Sequence, residues 1–402
     1  MLSLGKLKSK IKMGKLTNKN YSNLPVANNS EQFLLFILRG SWDAEALEAA
    51  RQIAVKDKLD WDKLQQTLDA EGLIPLVYQV IRNQNIIPTS IESKWQKVYY
   101  HNACRNTLLF KELATVLHTL KTAGVEVIVL KGAALAEMIY GNIAARPMSD
   151  LDLLIHPENL SLTRQVLAKL GYTATGVDMQ TGFTEEFRNE GTFYKQGIVD
   201  IYIDLHWRLI SPVYYQRRFG TDWFWETCLP VKINQSPALI LGCEAEVLYL
   251  CAHLMLHHDG KSLLWLHDIA AVINFYGEKI DWELVISKAK EYNLVLSLQK
   301  ILWRVANDWN VSIPVEVLNK LRVLKPSRNE VLTYIWQHQI MALRLFADVA
   351  GAKDWRLRLR IVWDTLFPSR EYMQHRYKIR HPLLLPFYYS YRLLRGFRRV
   401  SN

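Results

Sequence analysis

The stretch Arg146-Pro-Met-Ser-Asp-Leu-Asp-Leu-Leu-Ile155 decides the fold of this chain. Asp150 and Asp152 alternate with Leu151 and Leu153 before the run turns wholly apolar, and a period of two predicts a strand. Residues two apart on a strand point to the same side, so the two carboxylates share one face while the leucines enter a core. Two carboxylates this close repel each other unless a cation lies between them. Hard oxygen ligands favour Mg²⁺, which keeps waters and binds substrate phosphates. An exposed strand end that carries charge only for solubility has the same pattern, so the neighbouring segments decide between the two.

Upstream, Val125 to Leu130 is an apolar run between Gly124 and Gly132, the pattern of a buried strand, and Ala133 to Tyr140 reads as a short helix. Lys131 and Gly132 stand at the strand-to-helix junction, where free backbone amides and a cation can hold a phosphate. Downstream, Pro157 starts a helix that reaches about Leu170 and stops at Gly171. Thr192 to Lys195 and Ile198 to Trp207 flank Gln196-Gly197 and read as two antiparallel strands joined by a tight turn. Alternation along the second of them puts Asp200, Asp204 and His206 on one face, so Asp204 can supply a third carboxylate. Residues 122–240 are therefore α/β.

The flanks have a helical period. Residues 31–121 form an N-terminal helical region, with Asp60 as an N-cap, a breaker at Gly72, and a long helical pattern from Trp95 to Leu120 that ends at Gly124. From Gly242 onward strand signals vanish, and residues 241–352 read as a C-terminal helical domain containing Trp265, Trp282, Trp303, Trp309 and Trp336. Residues 1–30 read as a basic flexible arm and 353–402 as a basic aromatic segment.

Half of the 402 residues are apolar and 22% are charged, which excludes a disordered or fibrous chain. The net charge of +11 gathers at the ends: residues 1–20 carry six lysines and no acid, and residues 353–402 carry twelve basic residues against three acidic ones. Basic ends on a mildly acidic body fit contact with RNA or an anionic membrane surface, or they are solvated tails. The segment Arg380 to Arg399 interleaves Phe387, Tyr388, Tyr389, Tyr391 and Phe397 with arginines, which fits the same partners or a helix docked on the helical domain. No apolar run approaches the ~20 residues of a membrane span. The N-terminal lysines interrupt any signal-peptide core, and Cys104, Cys228, Cys243 and Cys251 form no CxxC pair. These features predict a cytoplasmic protein, with peripheral membrane contact as a further option.

The ordered set Leu-Lys-Gly-Ala-Ala-Leu at 130–135, Tyr140-Gly141, Arg146-Pro-Met-Ser-Asp-Leu-Asp-Leu-Leu154 and Asp204-Leu-His-Trp207 resembles the uncharacterised nucleotidyltransferase family of the DNA polymerase β-like superfamily. The likeness extends to Asp60-Trp61, Tyr249-Leu-Cys-Ala-His253 and Leu264-Trp-Leu-His-Asp268, so it spans residues 30–345. It implies an α+β nucleotidyltransferase fold, a mixed sheet flanked by helices, on which Asp150, Asp152 and Asp204 hold two Mg²⁺ or Mn²⁺ ions. Asp204, with Asp200 as the alternative, would act on the acceptor hydroxyl. Lys131, Gly132, Arg146 and Ser149 would hold the triphosphate of an NTP, with ATP the first candidate, and His206 would contact nucleotide or acceptor. One departure stands out: the superfamily's usual Gly-Ser pair is here Gly132-Ala133, preceded by Lys131.

The expected reaction is transfer of NMP from an NTP to a hydroxyl or phosphate of a small molecule or peptide. Similar motifs occur in toxin-like nucleotidyltransferases that act on tRNA, and a binding or scaffold protein could keep the fold without the reaction. His253 and His257, at i and i+4 of a helix, have metal-ligand spacing, but a structural or substrate-contacting role is favoured over a zinc site.

Overall fold

The computed structural model describes residues 29–56, 59–216, 218–337 and 341–395. The basic arm up to residue 28, and Phe397, Arg398 and Arg399, lie outside the described residues.

Among the described residues seven strands form one mixed sheet: β1 (Ile128–Leu130), β2 (Leu151–Leu154), β3 (Thr173–Ala174), β4 (Glu190–Lys195), β5 (Ile201–His206), β6 (Leu229–Ile233) and β7 (Ser236–Ile240), in the order β3-β4-β5-β2-β1-β7-β6. β2 runs antiparallel to β1 and parallel to β5, while β1 runs parallel to β7. Helices Asn29–Arg39, Ala44–Lys56, Trp61–Glu71, Ile74–Ile81 and Thr89–Thr122 precede the sheet. After it the described residues form further helices, from Cys243–His257 and Leu263–Tyr276 to Leu385–Arg395, joined by turns. Among the described residues no helix is long and apolar enough to cross a membrane.

Several local expectations are met. The Asp60 carboxylate accepts from the Lys63 amide at 3.0 Å, which satisfies one of the free amides at a helix start. Gly72, Gly124 and Gly171 have φ of 67°, 79° and 88°, a left-handed backbone that ends helices and favours glycine. Others differ. The first strand is shorter than Val125 to Leu130, and β5 begins at Ile201, so residues 196–200 form a loop rather than a tight turn, with Ile198 in solvent. The β6–β7 hairpin was not expected from the sequence. Its turn residues Asn234 and Gln235 have φ of 45° and 65°, as a two-residue hairpin requires, but Gln stands where glycine is the usual signal.

The sheet separates two cores by simple alternation. Val129, Leu151, Leu153, Ile203 and Leu205 enter one, against Leu109, Leu113 and Leu117 of the long helix Thr89–Thr122. Ile128, Leu130 and Leu154 face the other, which runs from Phe33 through Trp95, Tyr249 and Leu266 to Leu321. The helical regions before and after the sheet thus share one apolar core. Asp150, Asp152 and Asp204 alternate onto this second side of the sheet.

Candidate active site

Asp152 pairs in register with Asp204 across the parallel strands β2 and β5, and Asp204 in turn with Thr192 of β4. One step along, Leu154, His206 and Glu190 line up in the same way. A single face therefore collects Asp152, Asp204, His206 and Glu190, with Asp150 just before β2. Asp200, by contrast, precedes β5 and accepts from the Tyr194 hydroxyl at 2.9 Å in solvent.

Lys131 stands where β1 turns directly into helix Lys131–Met138. Its φ of 49° is rare for a residue with a side chain and costs roughly 1–3 kcal/mol. The turn directs Nζ onto Asp152 Oδ1 at 2.7 Å. His206 Nε2 meets the same oxygen at 2.9 Å, and its Nδ1 lies 3.0 Å from Glu190 Oε2. Neither cation reaches Oδ2 of Asp152 among the described contacts. Burial pushes the Asp152 carboxyl up, yet Lys131 and His206 hold it well below the usual carboxylate range. His206 is raised to about 9 by Glu190 and Asp152 despite burial, so it is an imidazolium at neutral pH. Glu190 itself is depressed to about 2, burial opposing and His206 prevailing.

Asp150 and Asp204 lack such compensation. Burial, then the charges of Asp152 and Asp204, push Asp150 up to about 6. Asp204 is raised by burial and by Glu190 and Asp152, although the Thr192 hydroxyl donates to it at 2.6 Å. These hard oxygens suit Mg²⁺, which needs only one or two carboxylates beside phosphates and water. They do not form a ready protein cage: among the described residues no three His, Cys, Asp or Glu side chains are grouped to hold a metal.

The family described as uncharacterised nucleotidyltransferase matches residues 57–309. The chain belongs to this family. It is also similar to a solved structure, that of an antigenic nucleotidyltransferase-like protein from Paracoccidioides brasiliensis, with 12% identity over 52% of this chain and 95% of that chain and a TM-score of 0.33. No curated protein matches it.

Other expected residues of this nucleotidyltransferase-family chain take different positions. Gly132 is buried, and a Cβ there would lie 3.0 Å from Met148 Cγ and 3.3 Å from Arg146 Nη1, so a side chain would make both neighbours shift by a few tenths of an ångström. Ala133, in place of the usual serine, is buried in the core on the far side of the sheet. The Ser149 carbonyl accepts from Arg105 Nη2 at 3.1 Å, and its side chain bonds to Asp150. Arg146 is 4% exposed and its guanidinium is bound to Asp268 at 2.7 Å, so it is not free on the carboxylate face. Tyr140 donates to Asp268 at 2.7 Å and receives His267 Nδ1 at 2.7 Å, while the Ser41 hydroxyl lies 3.4 Å from the other ring nitrogen. This closed network joins the N-terminal helices, the sheet and the C-terminal helices.

His253 and His257 stack with ring centroids 4.7 Å apart, and His253 Nε2 lies 3.3 Å from His258 Nε2. Burial lowers His257 to about 4 and keeps both rings neutral at pH 7. Trp265 packs against both His253 and His258, and Lys131 Nζ lies 5.8 Å from its ring centre. The cluster therefore forms an aromatic wall beside the lysine. Glu190 was not singled out from sequence, although it had a usable signal, since it lies two residues before Thr192 on an alternating strand; Asp268 stood only within the family-like segment Leu264 to Asp268, and nothing there marked its pairing with Arg146, 122 residues away.

Proposed function

We propose that the carboxylate face catalyses Mg²⁺- or Mn²⁺-dependent transfer of NMP from an NTP, ATP first among them, to a hydroxyl or phosphate of a small-molecule or peptide acceptor. The observation that carries this reading is the registration of Asp152 with Asp204 on adjoining parallel strands, with Asp150 raised to about 6 beside them. Carboxylates held this way gain from a bound cation. Asp150, Asp152 through Oδ2, and Asp204 would hold the metal. When bound, the ions neutralise phosphoryl oxygens and lower the pKa of the attacking hydroxyl.

The chain's own residues do the rest. Lys131, with the backbone at Gly132, lies at the phosphate end of the strand-to-helix turn, and Ser149 orients Asp150. His206 and Glu190 keep Asp152 in place. The acceptor oxygen attacks the α-phosphorus, the bond between α-phosphorus and the bridging oxygen to the β-phosphate breaks, and pyrophosphate leaves. Asp204, level with Asp152, accepts the hydroxyl proton when the acceptor is an alcohol. Arg146 acts at a distance, holding the loop before β2 through Asp268 rather than gripping the triphosphate.

The test is incubation of the protein with each α-labelled NTP, Mg²⁺ or Mn²⁺, a metabolite extract and total tRNA, with Asp150→Asn as control. Label on a small molecule or peptide, absent with the variant, is expected. Label on tRNA would favour the toxin-like reading. No label together with no metal-dependent NTP binding by calorimetry would leave a scaffold.

A further inference from the structure

Helix Trp355–Leu366 has two apolar faces. Leu357 and Ile361 pack inward with Met179, Phe183 and Phe187. Trp355, Leu359 and Trp363, spaced by four, lie on the opposite side and are 65%, 60% and 62% exposed; Phe367, just past the end, is 46% exposed. A shallow apolar groove of about 390 Å³ runs along this outer stripe. Tyr389 donates to the Pro368 carbonyl at 2.6 Å and brings helix Leu385–Arg395 alongside. That helix and the turn before it expose Leu383 (81%), Phe387 (65%) and Leu394 (72%). Exposed apolar area on this scale is unusual for a protein surface with no partner.

We propose that this stripe is a docking surface for an anionic lipid bilayer. Lys353 and Arg356 are exposed beside it, and residues 353–402 carry twelve basic residues against three acidic ones. A helix with Trp, Leu and Phe on one side and arginines at its margins lies in the interface of a bilayer, its apolar side chains among the acyl chains and its cations at the headgroups. A second copy of the chain fits less well, because face-to-face stripes would bring the same cations together. RNA also fits less well, because Leu359, Leu383 and Leu394 have no aromatic face on which a base could stack. The inference is independent of the transfer reaction.

The test is flotation of the full chain with phosphatidylcholine vesicles with and without phosphatidylglycerol. Binding to the anionic vesicles, weakened by salt, is expected. Leu359→Glu with Trp363→Glu should lower it at least about tenfold, and Lys353→Ala with Arg356→Ala by on the order of thirtyfold. Both pairs lie on the surface and should leave the melting temperature unchanged. As a readout that does not depend on the glutamate pair folding, Trp363→Cys carrying an environment-sensitive fluorophore should shift to the blue on anionic vesicles. The proposal is overturned if the wild-type chain does not float, or if the glutamate pair floats undiminished and so places binding elsewhere. It is equally overturned if the pair dissolves a dimer seen by sedimentation, or if it abolishes RNA binding instead.

Discussion

Two ionic clusters flank the same sheet and differ in how their charge is balanced. Around Asp268, the Arg146 guanidinium and the Tyr140 hydroxyl satisfy one carboxylate at zero exposure, and the network closes on protein groups alone. Around Asp152, four carboxylates, counting Asp150, Asp204 and Glu190, face Lys131 and His206, and burial together with the charges of Asp152 and Asp204 raises Asp150 to about 6. A closed network holds a fold together, because a buried charge left unpaired is expensive. An acidic excess does the reverse: it is a standing cost that an incoming cation removes. The difference separates an anchor from a candidate site, although each is built on a buried aspartate bound to a cation.

The comparison can be broken in three ways. Asp268→Asn leaves the Arg146 charge buried without its partner and should cost roughly 3–5 kcal/mol in urea unfolding. A variant as stable as wild type would mean that the cluster is no anchor. Asp150→Asn removes repulsion rather than attraction, so it should leave stability unchanged or raised. It should lower nucleotidyl transfer by on the order of 10²–10³-fold, the scale of losing one charge-stabilising group in a transition state. Glu190→Gln removes one of the two carboxylates that meet His206 and should lower its titration, followed by NMR, by roughly 1–3 units. No movement would show that Asp152 alone holds the imidazolium.

A pH dependence lies outside both clusters. Burial raises Glu330 to about 8, although the Leu296 amide donates to it at 2.6 Å. The folded state thus keeps a proton that the unfolded chain loses near pH 4.5, so stability is full below that pH and falls as pH rises to about 8. The slope from one such group is at most about 1.4 kcal/mol per pH unit. Glu330→Gln should flatten the dependence of melting temperature on pH between the two values, and an unchanged profile would place the burial cost elsewhere.

Particular residues explain what was legible beforehand. The shared face of Asp150, Asp152 and Asp204 was legible because a strand's period of two is written in adjacent letters, and the same holds for the caps at Asp60 and Gly72. The β6–β7 hairpin escaped because Asn234-Gln235 is a weak turn signal. Arg146 reads as a phosphate-binding arginine until its partner, 122 residues later, is known. That Asp204 rather than Asp200 stands level with Asp152 also needed the pairing of β2 with β5.

By itself the sequence determined the period of each segment, the polar face of β2 and β5, the helical flanks and the family resemblance, since these depend on neighbours along the chain. Only the tertiary structure decided which charges are balanced. Lys131 and His206 converge on one oxygen of Asp152, Arg146 turns to Asp268, and helix Trp355–Leu366 keeps an apolar face uncovered. The physical reason is that burial and Coulomb interactions depend on distance in space, and no local pattern encodes which distant side chain will arrive.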